Sequence, residues 1–235
     1  MKIFIAGGTG FVGKHLVETL DKAGHSISAL VRSPASAKKL PVKVETVSGD
    51  PMRPGSWQEA IPGHDAVINL TGNSIFSRWN KSSKQRICDS RILSTRNIVD
   101  GLPEDSTGIT LINASAAGFY GFCGDEEKFE DSSPGNDFLA SVCVEWEKEA
   151  HRAEIKGARV VVSRFALVLG KDGGALAQML PIFKSGLAGP LGSGRQWFPW
   201  IHISDLTQAI AFLLTHPDIS GPVNLAAPHP VRNKE

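Results

Sequence analysis

Cysteine is scarce in this chain: Cys88, Cys123 and Cys143 are the only three in 235 residues. They stand far apart, without the spacing of metal ligands, and an odd number cannot close into a full disulfide framework. Reduced thiols in a cytoplasmic protein, with no metal, are the expectation. An excess of one charge is also lacking. The 25 basic and 24 acidic side chains leave a net charge of +1, which gives no electrostatic footprint for nucleic acid or an anionic membrane. No apolar run is long enough to span a bilayer. The first strand-like segment begins at Lys2, which leaves no room for a cleaved leader. Tyrosine occurs once, as Tyr120.

What is present is alternation. Apolar runs of strand length occur at 2–6, 26–31, 66–70, 109–114 and 159–165, with a weaker one at 42–47. Segments of helical period lie between them, at 11–23, 81–102 and 138–156. This order predicts an α/β fold, a doubly wound parallel sheet with helices on both faces. The pattern changes after Gly170. Residues 170–200 are rich in glycine and proline and read as loops with one short helix over the carboxyl edge of the sheet. A helix from Ser204 to Thr215, with Ser204 as N-cap, and a seventh strand at 221–227 follow. Residues 1–169 therefore read as a nucleotide-binding Rossmann domain. Residues 170–235 read as segments of a small substrate lobe plus the last strand.

The most specific signal is Gly7-Gly8-Thr9-Gly10-Phe11-Val12-Gly13, placed between the first strand and the first helix. That context fits a dinucleotide loop. Gly7 permits the turn, Gly10 lets the backbone approach a pyrophosphate, and Gly13 lets the helix pack on the strand. The helix N-terminus offers free N–H groups and a partial positive charge to phosphate. NAD-binding versions place an acid at the end of the second strand; here Leu30-Val31 leads into Arg32 and Ser33. A guanidinium there suits a 2′-phosphate, so the expected cofactor is NADP(H). A solvated surface arginine is the plainer alternative.

Together with Gly49-Asp50 and Asn69-Leu70-Thr71-Gly72, these features resemble the extended short-chain dehydrogenase/reductases, the NAD-dependent epimerase/dehydratase proteins. The stretches 115–121, 137–140, 145–147, 189–194 and 198–202 are similar to one branch, the nucleoside-diphosphate-sugar epimerase-like proteins, some of them labelled cell-division inhibitors. The similarity covers essentially the whole chain. Members of that branch usually continue for some dozens of residues beyond the position of Glu235, so the resemblance implies a truncated carboxyl-terminal lobe. It also implies that Asp50 faces the adenine and that Leu70, Thr71 and Gly72 line the adenosine side. Arg91 joins the cofactor-contacting set together with Thr9, Phe11 and Val12. Ser115 is placed near the nicotinamide, and His202 and Asp205 where the substrate lobe joins the sheet.

Typical members of the superfamily use a tyrosine and a lysine four residues apart as acid/base pair. This sequence has no such pair: four residues after Tyr120 stands Gly124, and the helix at 138–143 carries neither residue. Ser115 and Tyr120 are the catalytic candidates, Tyr120 being equally readable as a buried structural phenol. Cys143 reads better as a small core residue. Glu145 and Glu147 read as solvated helix positions, and Trp57, Trp79 and Trp146 as packing. Arg195 and Gln196 suit a ligand with phosphate or sugar hydroxyls, or form an exposed lid. His202 is a further substrate-side candidate, more readily a hydrogen-bonded structural histidine than a base. Two functions stay open. One is an NADP(H)-dependent oxidoreductase or epimerase for a small polar, nucleotide-sugar-like molecule. The other is an NADP(H)-binding regulator that has lost catalysis. A homodimer is a possible assembly.

Overall fold

Strands of a parallel sheet covered on both faces must be apolar along their length, and Ile3, Phe4, Ile5 and Ala6 are all fully buried. In the computed structural model, which describes residues 1–186, 189–190 and 192–235, this segment is β1 (Lys2–Ala6), leading through the glycine loop into α1 (Phe11–Lys22). Next come β2 (Ser26–Val31), a single helical turn α2 (Pro34–Ala37) and β3 (Glu45–Ser48). A 3₁₀ turn (Ser56–Ala60) precedes β4 (Ala66–Asn69) and α3 (Lys81–Asp100). β5 (Thr110–Ala116) runs into a 3₁₀ turn (Ala117–Tyr120), then α4 (Phe138–His151), a further 3₁₀ turn (Arg152–Lys156) and β6 (Arg159–Phe165). The rest comprises β7 (Leu167–Gly170), α5 (Gly174–Lys184), β8 (Trp197–Phe198), β9 (Trp200–His202), α6 (Ile203–Thr215), β10 (Gly221–Leu225) and β11 (Val231–Arg232).

The main sheet has the order β10-β6-β5-β4-β1-β2-β3, with every neighbouring pair parallel. The strand order reverses at β1, so a crevice opens between the carboxyl ends of β1 and β4, the place where ligands gather in such sheets. Alternation along the strands divides the core in two. Ile3, Ile5, Ile27, Ile68 and Val161 face α1 and α6. Phe4, Val67, Leu111 and Val160 face the other side, under Trp57, Ile98 and Ala150.

The structure departs from the sequence expectations in places set by local chemistry. The third strand is Glu45–Ser48 rather than 42–47, and its side chains are not buried, which is why its apolar signal is weak. The helix expected to reach Lys156 tightens into a 3₁₀ turn after His151 and stops at Gly157, whose φ is +84°. His202, not Ser204, caps α6: its Nδ1 accepts from the Ser204 N–H at 3.3 Å. The segment after β6 holds two short ribbons besides the expected helix, β7 with β9 and β8 with β11. Within the glycine-rich stretch at 189–194, Leu191 lies outside the described residues.

The glycine loop fixes how closely α1 approaches β1. A Cβ on Gly13 would lie 2.2 Å from the Gly7 carbonyl oxygen and 2.7 Å from Gly8 backbone atoms. Gly13→Ala should therefore destabilise the protein by about 1–3 kcal/mol, the range for forced overpacking. Urea unfolding measures this as a lowered midpoint; a variant as stable as the parent would contradict the packing described here.

Candidate cofactor and active site

The crevice at the switch point is walled by backbone. Gly7 has φ +87°, and a Cβ there would meet the Leu70 carbonyl carbon at 2.7 Å, so the loops after β1 and β4 touch at this glycine. Gly10 differs. Its extended backbone (φ −75°, ψ 178°) suits any residue, and a Cβ on it would meet only the Gly7 carbonyl oxygen, at 3.3 Å. What glycine supplies at position 10 is open space in front of α1. No side chain caps α1, and no acid stands in its first turn, so its first N–H groups and partial positive charge face that space.

The other cofactor candidates sit around this cradle. Thr9, Phe11 and Val12 are half-buried. The Phe11 ring packs against Gly170, Gly173 and Gly174, each too close to accept a Cβ. Arg32 is exposed just beyond β2. Ser33 caps α2, accepting the Ser36 N–H at 3.3 Å. Asp50 accepts the Met52 N–H. Thr71 is tied through its hydroxyl to Asn69 and Ser94. Arg91 lies beneath Gly72, its Cζ 3.1 Å from where a Cβ would stand. It donates through Nη1 to the Asn73 and Ile87 carbonyls, and its guanidinium lies 5.2 Å from the Trp146 ring centroid. No ion pair to Arg91 is found among the described residues, and burial acts against its charged form.

At the ends of β5 and β6 stands a second group of side chains, built around Arg164. This guanidinium is 4% exposed and forms a two-point pair with Glu147, Nε to Oε1 at 3.0 Å and Nη2 to Oε2 at 2.9 Å. Its Nη1 donates to the Tyr120 hydroxyl and to the Glu130 carbonyl, both at 2.9 Å. Its cationic carbon lies 3.5 Å from the centroid of the Phe119 ring. Ser115 donates to Glu147 Oε1 at 2.5 Å, and Tyr120 donates to Asn224 Oδ1 at 2.6 Å. Ser115 and Tyr120 thus meet through one ion pair. Arg195 and His202 are exposed: Arg195 offers its carbonyl to Arg232, Gln196 its carbonyl to Asn233, and His202 caps α6.

The model of the NAD dependent epimerase/dehydratase family matches residues 3–226. The chain belongs to this family. An epimerase family protein of Arabidopsis thaliana, a chloroplastic SDR39U1 homolog, is 41% identical over 99% of this chain and 67% of its own length. Among solved structures, human epimerase family protein SDR39U1 with NADPH has a TM-score of 0.81 and 30% identity, over all of this chain and 77% of its own. The nucleoside-diphosphate sugar epimerase from Corynebacterium glutamicum has a TM-score of 0.84 and 35% identity. This chain covers 100% of itself but only 48% of that structure, about half its length.

The tyrosine–lysine pair that the resemblance implied is absent from α4, which presents Ala140, Val142 and Cys143 as buried residues. Burial and the neighbouring Glu147 charge push the Cys143 thiol up to about 11, and its Sγ lies 3.9 Å from the Ala116 carbonyl. It is a neutral core group, as expected. Of the two acids read from the sequence as solvated helix positions, Glu145 is exposed, but Glu147 is not solvated: it is buried and committed to Arg164 and Ser115. One turn separates it from Cys143, so it shares the inward face. Arg164 and Glu147 are the residues sequence reasoning underrated. A charged side chain closing the apolar run of β6, in which Val160–Arg164 are buried, was the available signal, since such a charge needs a partner.

Two outcomes follow from this geometry. Arg164→Met should cost about 3–5 kcal/mol, because Glu147 is left as an unpaired buried charge; the paired Arg164→Met, Glu147→Leu variant should recover most of the loss in urea unfolding. Alkylation at neutral pH should modify exposed Cys123 and spare Cys143 until the pH approaches about 11 or the protein unfolds; mass spectrometry after iodoacetamide treatment reads this directly.

Proposed function

We propose that this chain is an NADP(H)-dependent oxidoreductase or epimerase for a small polar, nucleotide-sugar-like substrate. The observation that carries the reading is the cradle at β1–α1, where Gly7 and Gly13 let the backbone pack closely and Gly10 leaves room ahead of an uncapped helix N-terminus. The cradle fits a pyrophosphate: N–H donors and a positive dipole end face space that a side chain at position 10 would fill. Gly7, Thr9, Gly10, Phe11, Val12 and Gly13 hold the pyrophosphate side. Arg32 and Ser33 take the 2′-phosphate, and Asp50 the adenine. Leu70, Thr71 and Gly72 line the groove, with Arg91 as a half-buried cation for which no ion pair is found among the described residues. NADPH on the human relative supports this choice. When bound, the cofactor supplies a hydride acceptor or donor. Ser115 and Tyr120 orient the substrate oxygen at the ends of β5 and the following turn. Arg195, Gln196 and His202 are the residues assigned to the rest of the substrate. On this reading residues 1–169 bind cofactor and 170–235 belong to the substrate lobe. The protein is cytoplasmic, and a homodimer is its assembly to test by sedimentation.

One observation favours a second reading, an NADP(H)-binding regulator with impaired catalysis. The protons of Ser115 and Tyr120 are both given to acceptors within the protein, so neither hydroxyl is free to donate to a substrate without rearrangement.

Calorimetry tests the cofactor assignment. NADPH should bind about tenfold or more tighter than NADH, as a charge-assisted contact of ~1.5–3 kcal/mol to the 2′-phosphate gives. Arg32→Ala should remove the preference, and Gly10→Val should fold and lose both cofactors. Equal affinities in the parent protein sink the NADP(H) choice. For catalysis, Tyr120→Phe should keep NADPH affinity and lower turnover by roughly a hundredfold, the low end for acid–base assistance. A substrate screen by nicotinamide absorbance in which nothing turns over, with cofactor bound, favours the regulator.

A further inference from the structure

Phe11 faces two ways. It is the first residue of α1, directly after Gly10. The first bond of the helix runs from the Lys14 N–H to the Gly10 carbonyl at 3.0 Å, so the N–H groups of residues 11–13 have no partner inside the helix and are offered to the cradle. The side chain enters the turn that joins β7 to α5.

That turn is glycine wherever it meets the ring. A Cβ on Gly170 would lie 2.8 Å from Phe11 Cζ, one on Gly173 2.5 Å from Cδ2, and one on Gly174 2.7 Å from Cε1. Bridges pair Leu169 with Gly174 and Gly170 with Gly173, so the turn doubles back tightly over the ring. The ring also meets His15, one turn along α1, edge-on at 5.5 Å. Gly174 has φ +66°, a conformation that favours glycine on its own account. Gly173 differs: its φ of 167° is extended backbone open to any residue, and the nearest atoms to a Cβ there all belong to Phe11. The ring is what excludes a side chain at 173.

The two sides of this joint differ in firmness. β7 is paired with β9. α5 is held far less. Among the described residues of this helix Ala175, beside the socket, is the one that is buried, and Leu180, Ile182 and Phe183 are exposed. Pro181 inside the helix has no N–H and removes a bond from its ladder. An element that buries so little apolar surface opens at low cost, so the anchor at its first turn decides how well α5 is kept in place. We propose that Phe11 is a positioning residue that couples the cradle to α5: a dinucleotide held on the N–H groups of residues 11–13 fixes Phe11, and the ring, seated in the glycine socket, sets α5 in place. This coupling rests on the cradle being a cofactor site, and it gives that site an order of events, cofactor first and the segment assigned to the substrate second. By linkage, an ordered α5 favours a filled cradle to the same degree.

Hydrogen exchange on α5, read by mass spectrometry with and without NADPH, tests the coupling, with calorimetry on the same samples to report binding. In the parent, NADPH should slow α5 exchange at least about threefold. Two variants cut the joint from opposite sides. Phe11→Ala removes the ring, and Gly173→Ala crowds the socket while leaving residues 7–13 untouched, so it decides the matter if Phe11→Ala weakens binding. Thermal unfolding checks that both are folded. Gly173→Ala should bind NADPH, and in both variants α5 should exchange at the same rate with and without it; Phe11→Leu should restore part of the slowing. A ring that is only structural gives a different result: the variants speed α5 exchange by one factor in both states, and the slowing by NADPH persists. That result, or a parent that binds NADPH with α5 exchange unchanged, overturns the coupling and leaves the cofactor site standing. A parent that binds neither NADPH nor NADH overturns the cofactor reading, and the coupling with it.

Discussion

Arg164 has to be neutralised where it stands. Inside the carboxyl edge of the sheet its charge cannot be left to water, and an unpaired buried cation is among the most costly features a fold can carry. Its solution sets the local architecture. Glu147 fixes the rotation of α4 against β5 and β6. Tyr120 and the Glu130 carbonyl bring the connection after β5 back over the strand ends, and Asn224 ties β10 to the same phenol. Glu130 also accepts the Asn224 N–H through its side chain, so the last strand is clamped from two sides. Replacing either member of the pair alone disturbs four segments at once.

The two halves of the site rest on different physics. The proposed cofactor side is made of backbone: a left-handed glycine, a glycine without room for a Cβ, and a helix end with open N–H groups. Little in it depends on side-chain chemistry beyond Arg32 and Arg91. The proposed substrate side is made of side chains held in a closed hydrogen-bond network around Arg164 and Glu147, with the neutral thiol of Cys143 one turn away on α4.

The sheet is polar at both ends. At the carboxyl ends of the strands the buried charge is balanced internally by Glu147. At the amino ends the uncharged hydroxyl of Ser28 stands between His64 Nε2, at 2.9 Å, and Glu45 Oε2, at 2.8 Å. A guanidinium and a carboxylate complete each other at any ordinary pH.

Much of the fold was legible because its signals are local. β1, α1, β2, β5 and β6 follow from apolar runs and helical spacing, and the glycine loop is recognisable since its glycines fall within seven residues between the first strand and the first helix. The edge strand β3, the His202 cap and the ribbons of the last segment were misplaced or missed, for they are short and held by pairing with distant partners more than by their own composition. The site shows the same boundary. Ser115 and Tyr120 could be named from position, but not the fate of their protons. That was decided by residues from 32 to 104 positions away, brought together only by the sheet order. A residue's type and its neighbours along the chain determine what it can donate or accept; which groups it meets inside a low-dielectric core, and therefore whether a hydroxyl, thiol or carboxylate is free to react, is settled by packing between elements that no local pattern encodes.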